Sequence, residues 1–550
     1  MKQYPVPRCF TPAVNMTVAD PELVALASDI GVLSRFLSTA RPDWSERTLR
    51  TMTIPDLLDD NQPEPFSHLS NLLSAQSDAV VAVVGTTTRE SFNATIVYPD
   101  AILESSEQGH LITPTGRDWK DILYHEPAST THEGYIADLL ALLAALHPNE
   151  LGWNTMIKWV VQRNRSKFQR RLERSRKDFY YGDLFDLLER WSPADSDKIP
   201  SKALPIFAPD RLSGFYLKYG WTVHPVNEAT GNFQLSKDTA ALLINTIGKI
   251  CKEVRQVMKD ASFDWLAADS KSLVDALVLL GMILNQKPVE DLFTRTLGLS
   301  ALLLPREHAE SISQAQADGW DPLTADDCNL SGYYALRYMR MLMSWPRAIF
   351  RFCAPSLVAR LMPAKVTVVA LNSPRIVDQS ARTRATQSIV NETLHRLAPW
   401  GSKACDVALK WIQKVADIAP EESARRIHAE AGAMALASGA WSRVGCCGQN
   451  ELDGAFLGMT YDVEIYTSQR CCHLCSRLGE LLDVHHESLD LDVEFMLPVT
   501  HDVVLPWDPP LFGIPKSVLK RLRDELREKL VHLAVELGKD NAHATSTECT

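Results

Sequence analysis

The feature that most constrains this chain is a set of metal-ligating residue types split between two distant segments. Ile427-His428-Ala429-Glu430 supplies an imidazole and a carboxylate, and Cys471-Cys472-His473-Leu474-Cys475, well downstream, supplies a Cys-x-x-Cys pair. A catalytic zinc takes three protein ligands in a tetrahedron and keeps the fourth position for water. His428, Cys472 and Cys475 make three. Cysteines at i and i+3 lie on one side of a first helical turn, where the positive end of the helix dipole favours thiolates. His428 and Glu430 are two apart, which in a regular helix points them about 200° from each other. They converge only at a helix start, and Ala431, Met434, Ala435, Leu436 and Ala437 after them read as the interior of that helix. Zinc lowers the pKa of a bound water toward neutrality, and Glu430 is then the group to move its proton. The competing reading is a structural zinc closed by Cys471, His473, Cys446 or Cys447 as fourth ligand, which leaves Glu430 an unexplained charge beside the ion. Singly, the bland alternatives are a satisfied buried histidine and two small apolar cysteines.

On these residues, the region from roughly Pro363 to Pro515 resembles a deaminase domain of the cytidine deaminase-like superfamily, most closely its nucleic acid/nucleotide deaminase branch common in fungal proteins. The likeness rests on His428-Ala429-Glu430, a strand-like Met459 to Tyr466, and Ser468-Gln469-Arg470-Cys471-Cys472-His473-Leu474-Cys475 opening a helix. A later His501 with Trp507 and Pro509 is similar to the family's closing segment. The resemblance implies an α/β three-layer sandwich with a mixed sheet, zinc as cofactor on His428, Cys472 and Cys475, and Glu430 as proton shuttle. It implies hydrolytic deamination of a nucleobase, cytosine or adenine, in a nucleic acid or nucleotide, with the backbone of Ala429 touching the base edge. His501 and Trp507 are candidates to stack on or orient the base; their alternative is a strand-edge histidine and a core tryptophan. The chain departs from the family where Pro usually precedes the first ligand Cys. Here Cys471 stands in that place, removing a residue that pre-organises the first helical turn and adding a competitor for the metal. The other functional class is a catalytically idle, deaminase-like zinc-binding scaffold whose helical N-terminal region holds a protein partner.

At 550 residues the chain is too long for one core and implies two or three domains. The formal charge of −11 argues against the whole molecule sheathing nucleic acid, while leaving room for a local basic groove. Arg163, Arg165, Lys167, Arg170, Arg171, Arg174, Arg176 and Lys177 form a basic run among Trp159, Phe168, Phe179, Tyr180 and Tyr181. Cations interleaved with aromatics suit a single strand, whose phosphates they neutralise while bases stack, and Arg170, Arg171 and Arg174 are the candidate contacts. The alternative is a solvated helix face with its aromatics in the core. Pro5 and Pro7 interrupt any leader-like segment at the start, and no apolar run reaches the ~20 residues of a bilayer span. The expectation is an intracellular chain, cytoplasmic or nuclear, without a membrane. Eleven cysteines, crowded toward the Cys-x-x-Cys, favour metal or reduced thiols over a disulfide frame.

Along the chain, residues 1–134 read as a mixed segment with a hairpin formed by Ala79 to Val84 and Asn93 to Tyr98. Gly85-Thr86-Thr87-Thr88 is no phosphate loop, since the Gly-Lys-Ser/Thr element is missing. Residues 135–362 read as a mainly helical domain, with helices over Ile136–Leu143, Ala240–Met258, Leu273–Leu284 and Tyr333–Phe352 and a break over Ser192 to Gly231. His308-Ala309-Glu310 repeats half of the motif without a Cys-x-x-Cys and offers too few ligands for a catalytic metal. Residues 363–515 form the deaminase-like region, with strands at Lys365–Leu371, partnered by Ile376-Val377, and at Leu491–Leu497. The α+β chain closes with an amphipathic helix over 516–538, packed on its own protein, and a loose tail over 539–550.

Overall fold

The computed structural model describes residues 20–40, 65–74, 80–87, 92–100, 110–112, 118–124, 132–146, 151–199, 201–205, 219, 226–227, 232–260, 262–264, 270–306, 325–353, 365–372, 379–401, 405–406, 409–410, 413, 427–442, 462–467, 471–489, 491, 493–497 and 504–547. The chain is mixed α/β and mostly helical. It divides into two units, one of Met1–Gly116, Ser129–Leu140 and Ala359–Thr550, the other of Arg117–Ala128 and Ala141–Val358.

The first unit is built on a mixed sheet. Its strands are β1 (Ala82–Thr87), β2 (Phe92–Asp100), β3 (His110–Ile112), β4 (Lys365–Asn372), β5 (Asp462–Thr467) and β6 (Glu494–Met496), in the order β3-β4-β2-β1-β5-β6. β1 and β2 form the expected antiparallel hairpin with Val83 opposite Ile96, and β1 pairs antiparallel with β5 on its other side, with Val83 opposite Tyr466. β4 runs parallel to β2 from Lys365 opposite Asn93 to Asn372 opposite Asp100, β3 lies antiparallel to β4, and β6 parallel to β5.

This sheet redraws the boundaries read from sequence. Residues 1–134 are not a segment apart from 363–515, because β1 and β2 are the inner strands joining β4 to β5. Periodicity finds strands but not their distant partners. The partner expected for β4 at Ile376-Val377 lies outside the described residues, and β4 is held by β2 and β3. The parallel β2–β4 pair needs a crossover rather than a turn, and the second unit lies within that connection.

Six helices of this unit matter below: α1 (Pro21–Ala40), α2 (Pro65–Leu73), α3 (Gln379–Leu397), α4 (Ala429–Ser442), α5 (His473–Glu487) and α6 (Lys516–Thr547). Strand alternation puts Ala82, Val84, Val97, Val463 and Ile465 on one face, in one core with Ala431, Ala433, Met434, Ala435 and Ala437 of α4. Alanine makes a strong helix former and a thin one, so α4 is apolar all round and lies close on the sheet. On the opposite face Phe66 of α2 packs its ring 4.8 Å from Phe92 and 5.9 Å from Tyr466. The sheet is therefore covered on both faces. Leu519, Leu522, Leu526, Leu530 and Leu533 make the buried seam of α6, which packs against α1, α3 and α5 as expected for a helix on its own protein. Arg527 ties it to Asp29 and to Glu392, each at 2.9 Å. The helix corrects one expectation: residues 539–547 continue α6 to Thr547 instead of forming a loose tail. No Gly or Pro follows Gly538 to stop it.

The second unit is mainly helical, as its periodicity indicates. Helices cover Lys237–Lys259 and Lys271–Leu284, while the helix expected over Tyr333–Phe352 is two, Ala325–Leu342 and Ser344–Phe352, divided at Met343. The Pro- and Gly-rich break over 192–231 is not wholly irregular: Lys202–Leu204 and Val226–Asn227 both pair with Asn232–Leu235 in a small antiparallel sheet. Among the described residues no helix is long and apolar enough to cross a membrane.

Candidate metal centre

Two helix starts build the site. α4 begins at Ala429, and the carbonyl of His428 accepts from Gly432 N at 3.0 Å to close its first turn. His428 is thus the cap residue and Glu430 lies within the first turn, the arrangement that their two-residue spacing requires for convergence. α5 begins at His473 with Cys472 as its cap, whose Sγ accepts from the Cys475 backbone N–H at 3.4 Å. That bond fixes one sulfur and leaves the other a turn away on the same side.

The two starts meet. His428 Nδ1 lies 3.2 Å from Cys472 Sγ and 3.5 Å from Cys475 Sγ. The three ligand atoms all fall within 4.8 Å of one another, and among the described residues this is the one group of histidine, cysteine and carboxylate side chains so placed to hold a metal ion. Cys471 is fully buried beside the set, with its thiol 3.5 Å from the Cys472 carbonyl and in contact with Cys475, but it is not one of the three residues whose ligand atoms converge. His473 Nε2 is engaged by Lys529 of α6. Cys446 and Cys447 lie outside the described residues, as do His501 and His308-Ala309-Glu310.

The electrostatics of the site follow from its burial. Hydrogen bonding with Cys475 and then the contact with His428 hold the Cys472 thiol well below its ordinary value, while burial and the neighbouring cysteines push Cys475 well above. Burial works against charge on His428, but the contacts with Cys472 and Glu430 and a hydrogen bond to the Pro506 carbonyl outweigh it and raise its pKa. Glu430 is 2% exposed, and its Oε2 has no hydrogen-bond partner among the described residues. Burial pushes its pKa to about 7, against the lowering pull of His428. A buried carboxylate oxygen left without a hydrogen bond is costly, and a pKa near neutrality is what general acid–base work needs.

The remaining candidates divide. Ala429 is fully buried at the first position of α4, between His428 and Glu430. Trp507 is 1% exposed and belongs to the core shared with Ala429, Cys472 and Cys475. Pro506, whose backbone contributes to raising the His428 pKa, is a residue that sequence reasoning missed, because a backbone acceptor leaves no side-chain signature. In the second unit, Arg170 and Arg174 are exposed on the helix Arg165–Arg174. Arg171 stacks over the Trp345 ring at 4.8 Å and so takes part in packing. Arg165 donates to the carbonyls of Val257, Met258 and Phe263 at 3.1 to 3.2 Å, closing the end of the helix Lys237–Lys259. Trp159, Phe168 and Phe179 point inward, whereas Tyr180 and Tyr181 stand about half exposed, their rings 5.1 Å apart. No protein-family model matches the chain, and no curated protein or solved structure matches it.

Proposed function

We propose that the chain is a zinc-dependent hydrolytic deaminase acting on a nucleobase, cytosine or adenine, of a nucleic acid or nucleotide. The observation that carries this reading is the meeting of His428, Cys472 and Cys475 beside a buried carboxylate with an unpartnered oxygen. A tetrahedral zinc with Zn–S of about 2.3 Å and Zn–N of about 2.0 Å separates its nitrogen and sulfur ligands by roughly 3.5 Å, close to the spacings of His428 Nδ1 to the two sulfurs. A purely structural ion asks for four protein ligands and no spare acid. Here the described residues offer three, and Glu430 is the spare acid.

When bound, zinc supplies the Lewis acidity that brings the pKa of a water toward neutrality. The chain supplies the rest. Glu430 accepts a proton from the attacking water as oxygen bonds to the ring carbon that carries the amino group. It then gives a proton to the departing nitrogen as the carbon–nitrogen bond breaks, so water and an amidine carbon become a carbonyl and ammonia. Glu430, Cys472 and Cys475 are buried, which keeps bulk water away from the proton being moved.

The test is ammonia release by the zinc-loaded chain from bases, nucleosides, single strands and tRNA, with Glu430→Gln beside the parent. Retained zinc with turnover reduced at least a hundredfold is expected. Release at the parent rate by Glu430→Gln sinks the assigned role, and zinc binding with no deamination of any substrate favours an idle scaffold.

A further inference from the structure

The two sulfurs of the candidate metal centre are also placed to bond to each other. Cys472 caps α5 and Cys475 lies three residues on, so both belong to the first turn of that helix. Helix geometry sets Cα atoms three residues apart at about 5 Å, within the roughly 4.4 to 6.8 Å that a disulfide spans. Both thiols are free, and their Sγ atoms already lie within 4.8 Å of one another. Cys472 Sγ accepts the Cys475 backbone N–H at 3.4 Å, at the positive end of α5, where a sulfur reacts most readily as a nucleophile. The other described cysteines are placed differently. Cys251 and Cys353 belong to the second unit. Cys471 precedes the cap, with its thiol 3.5 Å from the Cys472 carbonyl. It adjoins Cys472 in sequence, and consecutive Cα atoms, about 3.8 Å apart, are too close for an ordinary bridge.

We infer that Cys472 and Cys475 are an oxidation site as well as metal ligands: a dithiol that hydrogen peroxide converts to a disulfide when the metal is absent. The bridge rests on the placement of the two sulfurs, and its exclusion by metal rests on the reading of both as ligands. Cys472 Sγ attacks one oxygen of the peroxide; the S–O bond forms as the O–O bond breaks, and the hydroxide released takes the Cys472 proton to leave as water. Cys475 Sγ then attacks the Cys472 sulfur; the S–S bond forms as the S–O bond breaks, and a second hydroxide leaves as water with the Cys475 proton. The sulfurs lose two electrons and the peroxide gains them. A tetrahedral zinc holds two thiolates about 3.8 Å apart, whereas bridged sulfurs stand about 2.05 Å apart and have no thiolate left to give. Metal and bridge therefore exclude each other. Cys472 is 2% exposed, and peroxide is little larger than water, the reagent that the proposed hydrolysis brings to the same place. Oxidation of the metal-free chain thus stores the site in a form that needs a thiol reductant before it takes a metal.

The experiment treats the full chain, stripped of metal by a chelator and checked for folding by circular dichroism, with equimolar hydrogen peroxide. Remaining thiols are then blocked with iodoacetamide, and the tryptic peptide Cys471–Arg477, which holds all three neighbouring cysteines, is mapped by mass spectrometry. The peptide is expected to be lighter by two hydrogens and blocked at Cys471 alone, and to be blocked at every cysteine when dithiothreitol precedes the iodoacetamide. With zinc at ten times its Kd the bridge is expected to form about tenfold more slowly. Cys471→Ser is expected to bridge as the parent does, and Cys472→Ser to give no bridge within this peptide. A parent peptide blocked at every cysteine without reductant, cysteines carried on to sulfinic acid, or a bridge through Cys471 overturns the inference, and these outcomes are read on the parent whether or not the variants fold. The two layers separate. A bridge that forms as fast with zinc as without it overturns the exclusion and the ligand reading together; zinc bound by the parent, with no bridge once it is removed, fails the dithiol alone.

Discussion

Gly513→Ala examines how closely the closing segment is pressed on the motif helix. Gly513 has φ of +66°, and a Cβ built on it sits 1.8 Å from the Ala435 carbonyl oxygen and 2.6 Å from its carbon. Both are backbone atoms of α4, which cannot turn aside as a side chain can. The positive φ by itself costs an L residue about 1 kcal/mol, and forcing apart a packed interface adds about 1 to 3 kcal/mol. Gly401→Ala is the matched control, because Gly401 lies in the same unit with φ of +98° and nothing within 4 Å of its Cβ position. Gly513→Ala is expected to destabilise by about 2 to 4 kcal/mol and Gly401→Ala by about 1 kcal/mol. At about 2 °C per kcal/mol for a unit of this size, the transition falls by roughly 4 to 8 °C in one and 2 °C in the other. The assay is scanning calorimetry, reading the transition that moves when zinc is added, since a ligand raises only the unit that binds it. Equal losses in the two variants refute the reasoning, because they leave the contact with Ala435 without energetic weight.

Other outcomes follow from the same structure. A chain beginning at Pro363 lacks β1 and β2, the inner strands of the sheet; circular dichroism is expected to show no cooperative unfolding, and a cooperative transition contradicts the redrawn boundary. His486 is buried against Ser438 Oγ at 3.2 Å, and burial holds its pKa down to about 4. Its unfolded value is higher, so the stability it protects is present above about pH 6.5 and is lost as the pH falls toward 4, by roughly 2 to 3 kcal/mol. His486→Gln is expected to flatten urea stability across that window, and an unchanged slope speaks against it. If Arg170 and Arg174 contact phosphates, replacing both with Gln lowers the slope of log affinity against log salt for a single strand by about 1.4. An unchanged slope returns them to the role of a solvated helix face.

Local features were legible in the sequence and distant partnerships were not. The two-residue spacing of His428 and Glu430 demanded a helix start, and α4 begins between them at Ala429. The β-branched runs of β1, β2 and β4 marked strands, because side-chain alternation is written locally. Nothing in Ala82–Thr87 says that it pairs with Asp462–Thr467, since that register depends on a chain folded back across the whole second unit. The boundary at residue 363 failed for that reason. Trp507 was legible as a large apolar residue near the site, whereas Ser34, which holds its backbone, is an ordinary helical serine until α1 is seen against it. The basic run shows the reverse limit. Eight like charges look uniform as letters, yet Arg165 closes a helix end, Arg171 covers Trp345, and Arg170 and Arg174 face solvent.

The central claim is that His428, Cys472 and Cys475 share one ion. Elemental analysis of the purified full chain, beside His428→Ala and Cys472→Ser with Cys475→Ser, tests it most directly. One zinc per parent chain and less than a tenth of that in either variant is the expected result, three ligands being the fewest that hold a catalytic zinc. A parent chain that carries no zinc after metal supplementation, or variants that keep it at full stoichiometry, contradicts the account.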